Sequence, residues 1–234
     1  MTNARSRSRI ETRRSVLPPV EGVRPGALRL IEIAVPLFAE RGYHGVSIRD
    51  LTSAAGINVA SFYTHFKSKE QLLFEVMLCA HNTHQAHVRD ALLGAGEDPA
   101  AQIREAVRAN ATFHGTYPTL AVAANAEMHA LSAEHRERVY MVRHDSARLI
   151  VAAIERGNNL GAFSCPDPWM ALSAIGGMCL RIAWWYRNQD GSDGPLGSYP
   201  AEAATWFPDG GYDIEQIASA FADFALKIVS AVPA

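Results

Sequence analysis

From Pro25 onward, apolar residues recur at helical spacing. Leu28, Ile31, Val35 and Phe38 mark one face of a segment that runs to Glu40; Pro25 suits its first turn, and Gly42 and Gly45 follow its end. Ser47-Ile48-Arg49-Asp50 has the N-cap hydroxyl and N3 acid of a capping box, opening a helix with Leu51, Ala54 and Ala55 that Gly56 can close in the left-handed conformation. Asn58 can cap a second short helix, Val59 to Phe66. Ser68-Lys69-Glu70-Gln71 opens a long helix through Leu72, Leu73, Val76, Met77 and Ala80 towards Leu92.

The same punctuation continues to the end of the chain. Asp98-Pro99 starts a helix that ends near Gly115, and Pro118 starts another through Val122 and Met128. Ser132 caps a long helix to Arg156, stopped by Gly157-Asn158-Asn159; Asp167-Pro168 opens an apolar helix ending at Tyr186. A stretch rich in Gly, Pro and Asp from Asn188 to Tyr212 reads as a loop. Asp213 and Gln216 then box a last helix with Ile214, Ile217, Phe221, Phe224 and Ile228 on one face. No segment alternates with period two for long enough to make a strand, so the pattern predicts an all-α fold.

Charge changes this picture by dividing the chain. Residues 1–70 hold 11 Lys and Arg against 6 Asp and Glu, while residues 71–234 hold 11 against 18. A basic first third on an acidic body points to a polyanionic partner for the former. Residues 1–23 carry Arg5, Arg7, Arg9, Arg13 and Arg14 with almost nothing apolar to bury, the composition of a disordered basic arm. Three cysteines, Cys79, Cys165 and Cys179, lack C-x-x-C spacing, which argues against a disulfide framework or a cysteine zinc site. The most apolar run stops at Arg181, too short to span a membrane, and the twin arginines Arg13-Arg14 are followed by Pro18-Pro19-Val20-Glu21 instead of an apolar export segment. A reduced, cytoplasmic protein is expected.

The candidate chemistry lies in Ser47–Phe66. A short capped helix, a Gly turn and a second short helix make a helix-turn-helix, whose second helix reads base edges in the major groove. That helix offers Asn58, Val59, Ser61, Tyr63, Thr64 and His65, with Phe62 and Phe66 spaced to face inward. Lys67 and Lys69 follow at the next helix start, where ammonium and free N–H groups suit phosphate. By pattern alone the segment could also be part of an ordinary helical bundle.

Three strings then resemble the DNA-binding signature of the TetR family of transcriptional regulators: Leu37-Phe38-Ala39-Glu40-Arg41-Gly42-Tyr43, Val46-Ser47-Ile48-Arg49-Asp50-Leu51 with Ala55-Gly56-Ile57, and Ser61-Phe62-Tyr63-Thr64-His65-Phe66-Lys67-Ser68-Lys69-Glu70-Gln71-Leu72. The resemblance implies an all-α homodimer with a helix-turn-helix domain over 24–70 and a ligand-binding and dimerisation domain over 71–234. It implies that Ser47, Tyr63 and Lys69 meet phosphate, that Asn58, Ala60, Ser61 and Thr64 face bases, and that His65 touches the DNA backbone. Two positions depart from the family pattern: Pro36 inside the first helix, where loss of a backbone bond predicts a kink near Glu32, and Val59, where a polar or basic residue is usual. The body, through Tyr117-Pro118, Ser132 to Arg136, Trp184 to Arg187 and Ile214 to Ala225, resembles the ligand domains of TetR regulators of lipid, fatty-acid and sterol catabolism, with the 188–212 loop lengthened. That implies a small hydrophobic effector such as an acyl-CoA.

Phe113, Tyr117, Met128, Met141 and Trp184 lie on inward stripes of the body and are the candidate lining of an apolar cavity, or plain core. Ser173, Gly176, Gly177 and Cys179 permit close helix approach, either inside the body or across a dimer face. His81, His84 and His87 fall at i, i+3 and i+6 without a carboxylate or cysteine at ligand spacing, which favours a solvated or interdomain face over a metal site. Ser164, His135 and Asp145 could be written as a triad, but no nucleophile elbow, phosphate loop or H-E-x-x-H accompanies them. The expectation is a regulator without cofactor, metal or catalysis, probing double-stranded DNA through one domain and an effector through the other. A DNA-binding architectural protein without effector is the alternative.

Overall fold

The computed structural model describes residues 16–20, 22–186 and 212–230, and among these there are helices and no strand. Three helices form the amino-terminal unit: α1 (Pro25–Arg41), α2 (Ile48–Ala55) and α3 (Val59–Tyr63). The long α4 (Lys69–Gly94) joins it to the body, made of α5 (Pro99–Thr116), α6 (Pro118–Ala126), a 3-10 turn (Met128–Ala130), α7 (Ala133–Asn159), α8 (Pro168–Trp185) and α9 (Ile214–Val229). The caps lie where the short polar residues predict them. The Ser47–Asp50 and Asp213–Gln216 boxes are both closed, and Gly56 ends α2 with φ 66° and ψ 33°.

α3 is shorter than its pattern. It stops at Tyr63 because the chain tightens there: Thr64 and His65 donate backbone N–H to Ser61 and Phe62, three residues back, and the Thr64 hydroxyl adds a 2.7 Å bond to the Ser61 carbonyl. α1, by contrast, continues through Pro36 as one helix. The carbonyl that loses its partner belongs to Glu32, which is exposed, so water can take the bond that proline removes.

Two apolar cores divide the molecule, and the division does not coincide with the step from the amino-terminal helix-turn-helix unit, the expected reader, to the body. The first joins α1, α2, α3 and the start of α4 through Leu30, Phe38, Leu51, Phe62 and Leu72, and it takes in Leu120 to Ala124 of α6. The second joins α5, the far half of α7, α8 and α9 through Ile103, Ile154, Ile175 and Ala222. Each large side chain buried in this way contributes about 1.5–3 kcal/mol. Leu17, assigned to the basic arm by composition, is 2% exposed and belongs to the first core. One leucine beside Pro18 is enough to anchor the end of a segment that is otherwise polar. Residues 1–15, and the loop expected over 188–212 except Tyr212, lie outside the described residues.

Polar contacts cross the same junction. Tyr43, after α1, donates its backbone N–H to Glu127 Oε1 at 3.3 Å, and His44 stacks on His129 with centroids 6.3 Å apart. Glu70, at the start of α4, accepts from the Ser132 backbone N–H at 2.9 Å and pairs with His135 at 2.8 Å. The end of α6 and the start of α7 therefore hold the reader from behind.

Candidate functional site

Ser47 and Asp50 set the entry to α2. The Asp50 backbone N–H donates to Ser47 Oγ at 3.1 Å, while the Ser47 N–H and hydroxyl both donate to Asp50 Oδ2, at 2.7 and 2.6 Å. The serine hydroxyl and backbone hydrogen bonds hold the Asp50 carboxyl below its ordinary value. The Ser47 hydroxyl hydrogen thus already has an acceptor, and meeting a phosphate would mean exchanging it.

α3 presents an outer row fixed by two inner anchors, Phe62 and Phe66, both buried. The outer residues Asn58, Val59, Ala60, Tyr63 and Thr64 are exposed and Ser61 is half-buried. Much of their hydrogen bonding turns inward. Asn58 Oδ1 accepts from both the backbone N–H and the hydroxyl of Ser61, at 2.8 and 3.0 Å, and Thr64 donates to the Ser61 carbonyl. What remains outward is largely apolar: Val59, the Ala60 methyl and the Tyr63 ring, the last 53% exposed.

The basic residues divide in the same way. Lys67 is exposed and its ammonium is free to reach outward. Lys69 is not: its ammonium donates to the carbonyls of Tyr43 and Val46, at 2.8 and 2.6 Å, and lies 4.0 Å from the Tyr43 ring centre. Burial lowers its pKa, with Asp50 opposing. Lys69 primarily clamps the loop before α2, and one N–H remains for a phosphate. His65 also departs from its expected role. Its Nδ1 is buried without a hydrogen-bond partner, and a methyl added to Gly26 of α1 would lie 2.5 Å from the ring. The ring packs under the start of α1 instead of turning outward, and it explains why that position is a glycine.

In the body, the five expected lining residues do not converge. Phe113 is buried and does line a cavity. Tyr117 faces a different groove, beside Leu17 and Pro18. Met128 and Trp184 pack against the first core. Met141 is 55% exposed because the buried stripe of α7 runs through Val139, Ser146 and Ile150, and Met141 falls two residues off it. Helical spacing finds inward faces, but it does not say which of two cores a face joins.

The cavity has a volume of about 390 Å³ and lies between α4, α5, α6, α7 and α8. Phe113, Ile150, Leu172 and Leu180 give it apolar walls, while His81, His84, Asn110, His114, Asn125, Arg143 and Ser146 give it a polar side. Spacing alone gives His81 and His84 a solvated or interdomain face. They turn inward because α5 and α7 flank α4, and only His87 is exposed. A neutral His84 satisfies both ring nitrogens, donating from Nε2 to Asn110 Oδ1 at 3.0 Å and accepting at Nδ1 from the Ser146 hydroxyl at 3.4 Å. His114 Nδ1 donates to the Asn110 carbonyl at 2.8 Å. Burial, then Arg143 and His84, push the His81 pKa down to about 3; burial, then His84, push His114 to about 4. These rings are neutral at neutral pH.

Among the described residues, the one group of three or more potential ligands close enough for a metal is His44, Glu127 and His129, at the reader–body junction. The three residues of the paper triad are apart: His135 is held by Glu70 and stacked on Phe74, Asp145 pairs with His144, and Ser164 bonds through its backbone to Val229. All three cysteines are free thiols, and no described helix is long and apolar enough to cross a membrane.

Residues 30–76 match the profile of the tetR family of bacterial regulatory proteins, and residues 96–197 match the tetracyclin repressor-like C-terminal domain. The HTH-type transcriptional repressor KstR2 of Rhodococcus jostii is 26% identical over 160 residues, 68% of this chain and 78% of that protein. The regulator PfmR of Thermus thermophilus has a similar structure, with a TM-score of 0.70 and 28% identity over 85% of this chain and 97% of that one. AibR, solved with isovaleryl coenzyme A and operator DNA, shares the fold at a TM-score of 0.67 and 20% identity, covering 88% of this chain and 98% of that one.

Proposed function

Because the chain belongs to the TetR family of bacterial transcriptional regulators, we propose that it is a cytoplasmic, homodimeric repressor released from its operator by a small acyl-CoA-type effector, and that it catalyses no reaction. The observation that carries the DNA half is the outer row of α3, exposed and held rigid by Phe62 and Phe66 beneath it. Tyr63 and Lys67 meet phosphates, with Ser47 and the remaining Lys69 N–H in supporting places. Asn58, Ala60, Ser61 and Thr64 face the bases. With so many of their hydrogen bonds closed inside α3, Val59 and Ala60 favour apolar contact with thymine methyl groups.

Dimerisation would use α8 and α9. Met170, 67% exposed, Trp169 and Phe224 are exposed apolar side chains on these helices, and Gly176 and Gly177, at the edge of the cavity, have open space where a side chain would be. Two readers joined this way meet half-sites about 34–36 Å apart.

The effector half rests on the cavity. Its apolar walls suit a short acyl group, and AibR, of the same fold, binds isovaleryl coenzyme A. Asn125 lines the cavity two residues before Glu127, which holds Tyr43 and neighbours the His44–His129 stack. An occupant pressing on α6 would thus move the support of the reader. Release requires only that the effector prefer the DNA-free arrangement, typically by 1–3 kcal/mol.

The test is to select duplexes from a random DNA pool and follow their binding by fluorescence anisotropy against salt. A preferred site whose affinity falls in proportion to the phosphates contacted, and which is released by acyl-CoA, is the expected result. Salt-dependent binding with no preferred duplex and no release would favour an architectural protein.

A further inference from the structure

The cavity holds more polar groups than an alkyl chain can use. Arg143 is the arginine that lines it, and it donates only to Asn125 Oδ1, at 3.1 Å, with no ion pair among the described residues. Asn125 is itself oriented, since its Nδ2 donates to the Ala121 carbonyl at 2.8 Å. On the facing helix His81 is part of the same wall, and its Nε2 is buried with no hydrogen-bond partner. A half-buried cation with a neutral partner, next to an unsatisfied imidazole nitrogen, is costly unless something else completes the set. The other two histidines do not call for a metal, because His84 has both nitrogens engaged and His114 has one bonded to backbone.

Resting on the effector-released reading above, we infer that the part of the effector buried in this cavity carries a carboxylate, bound by Arg143 with His81 beside it. Arginine suits this role because its planar fork can give two parallel N–H bonds to one carboxylate. The opposite wall of Phe113, Ile150, Leu172 and Leu180 takes the hydrocarbon between the two ends. Two sources share this chemistry: an acyl thioester whose acyl group ends in a second carboxylate, and a free carboxylic acid.

The experiment compares adipoyl-CoA with hexanoyl-CoA, which have equal carbon number and differ in the terminal carboxylate, as agents that release the full-length protein from its selected operator. Within each protein variant the quantity read is the ratio of the two half-release concentrations. Wild type should respond to adipoyl-CoA at a concentration at least about tenfold lower, the size of one good charge-assisted contact. Arg143→Met should abolish that ratio, and Arg143→Lys should restore part of it, which a folding defect would not do. Release by hexanoyl-CoA at equal or lower concentration overturns the carboxylate while leaving the effector reading intact. If neither thioester releases the operator, the acyl-CoA reading falls, and calorimetry with free adipate and hexanoate decides the inference. Carboxylate binding that Arg143→Met removes supports a free-acid ligand; no binding overturns the site.

Discussion

The reader and the cavity are built by opposite rules. In the reader, each functional side chain is placed by its neighbours within a few residues: Ser47 by Asp50, Ser61 by Asn58, Tyr63 by the flanking anchors Phe62 and Phe66. In the cavity, the polar groups come from α4, α5, α6 and α7, and what places them is the packing of helices far apart in sequence. Local rules make a rigid surface that repeats one geometry. Long-range rules make a cavity whose lining no single helix specifies.

Substituting an anchor should break this contrast most severely. Phe62→Ala removes a fully buried ring from the reader core. It should lower stability by about 3–5 kcal/mol and eliminate operator binding. Thermal unfolding and anisotropy would show both effects. An unchanged melting temperature would mean that the reader does not depend on that core.

Changing the outer surface should separate binding from folding. Tyr63→Ala combined with Lys67→Ala should weaken operator binding about a hundredfold and reduce the salt slope by about one contact, with little change in melting temperature. Lys69→Ala should do the reverse in part. It strands the Tyr43 and Val46 carbonyls, so a loss of about 1–3 kcal/mol in stability is expected alongside any loss of affinity. If Lys69→Ala leaves unfolding untouched, its ammonium is a phosphate contact first and a clamp second.

Gly177→Arg tests the link between the two copies. It should give folded monomers by sedimentation, and operator affinity should fall because two half-sites are no longer joined. A wild-type monomer at micromolar concentration would contradict the interface.

Acidification tests the neutral histidines. His81 and His114 have depressed pKa values in the fold, so the unfolded chain binds more protons below about pH 6.5. Their contribution is complete above that pH and is lost as pH falls towards about 4, the His114 value, and on towards about 3, the His81 value. Burial also lowers the His84 pKa, so His84 adds to the same slope, and Arg143 and His87 face the cluster. The melting temperature should therefore fall on acidification in that window, and His81→Gln with His114→Gln should flatten the slope.

These regions also differ in how far the amino-acid sequence discloses them. The capping boxes, the Gly56 turn, the Pro starts of α5, α6 and α8, and the inward phenylalanines of α3 were all legible, because each depends on residues three or four apart. The clamp made by Lys69 is not legible, because its partners, Tyr43 and Val46, lie 26 and 23 residues earlier. The cavity was legible only at Phe113. An inward stripe is visible on each helix, but His81, Asn110, Asn125 and Arg143 share no local pattern, and only packing brings them to one wall. One signal could have found them: polar residues recurring on the apolar faces of four successive helices.

Occupancy of the cavity and occupancy of the operator are expected to oppose each other. The most direct test is a thermodynamic box: the affinity of the most potent thioester is measured by calorimetry with and without the selected operator, and the affinity for operator with and without saturating thioester. Linkage predicts that both affinities fall by the same factor, about 5- to 150-fold for typical coupling. Two affinities that do not change would contradict the account, even if DNA and thioester each bind tightly alone.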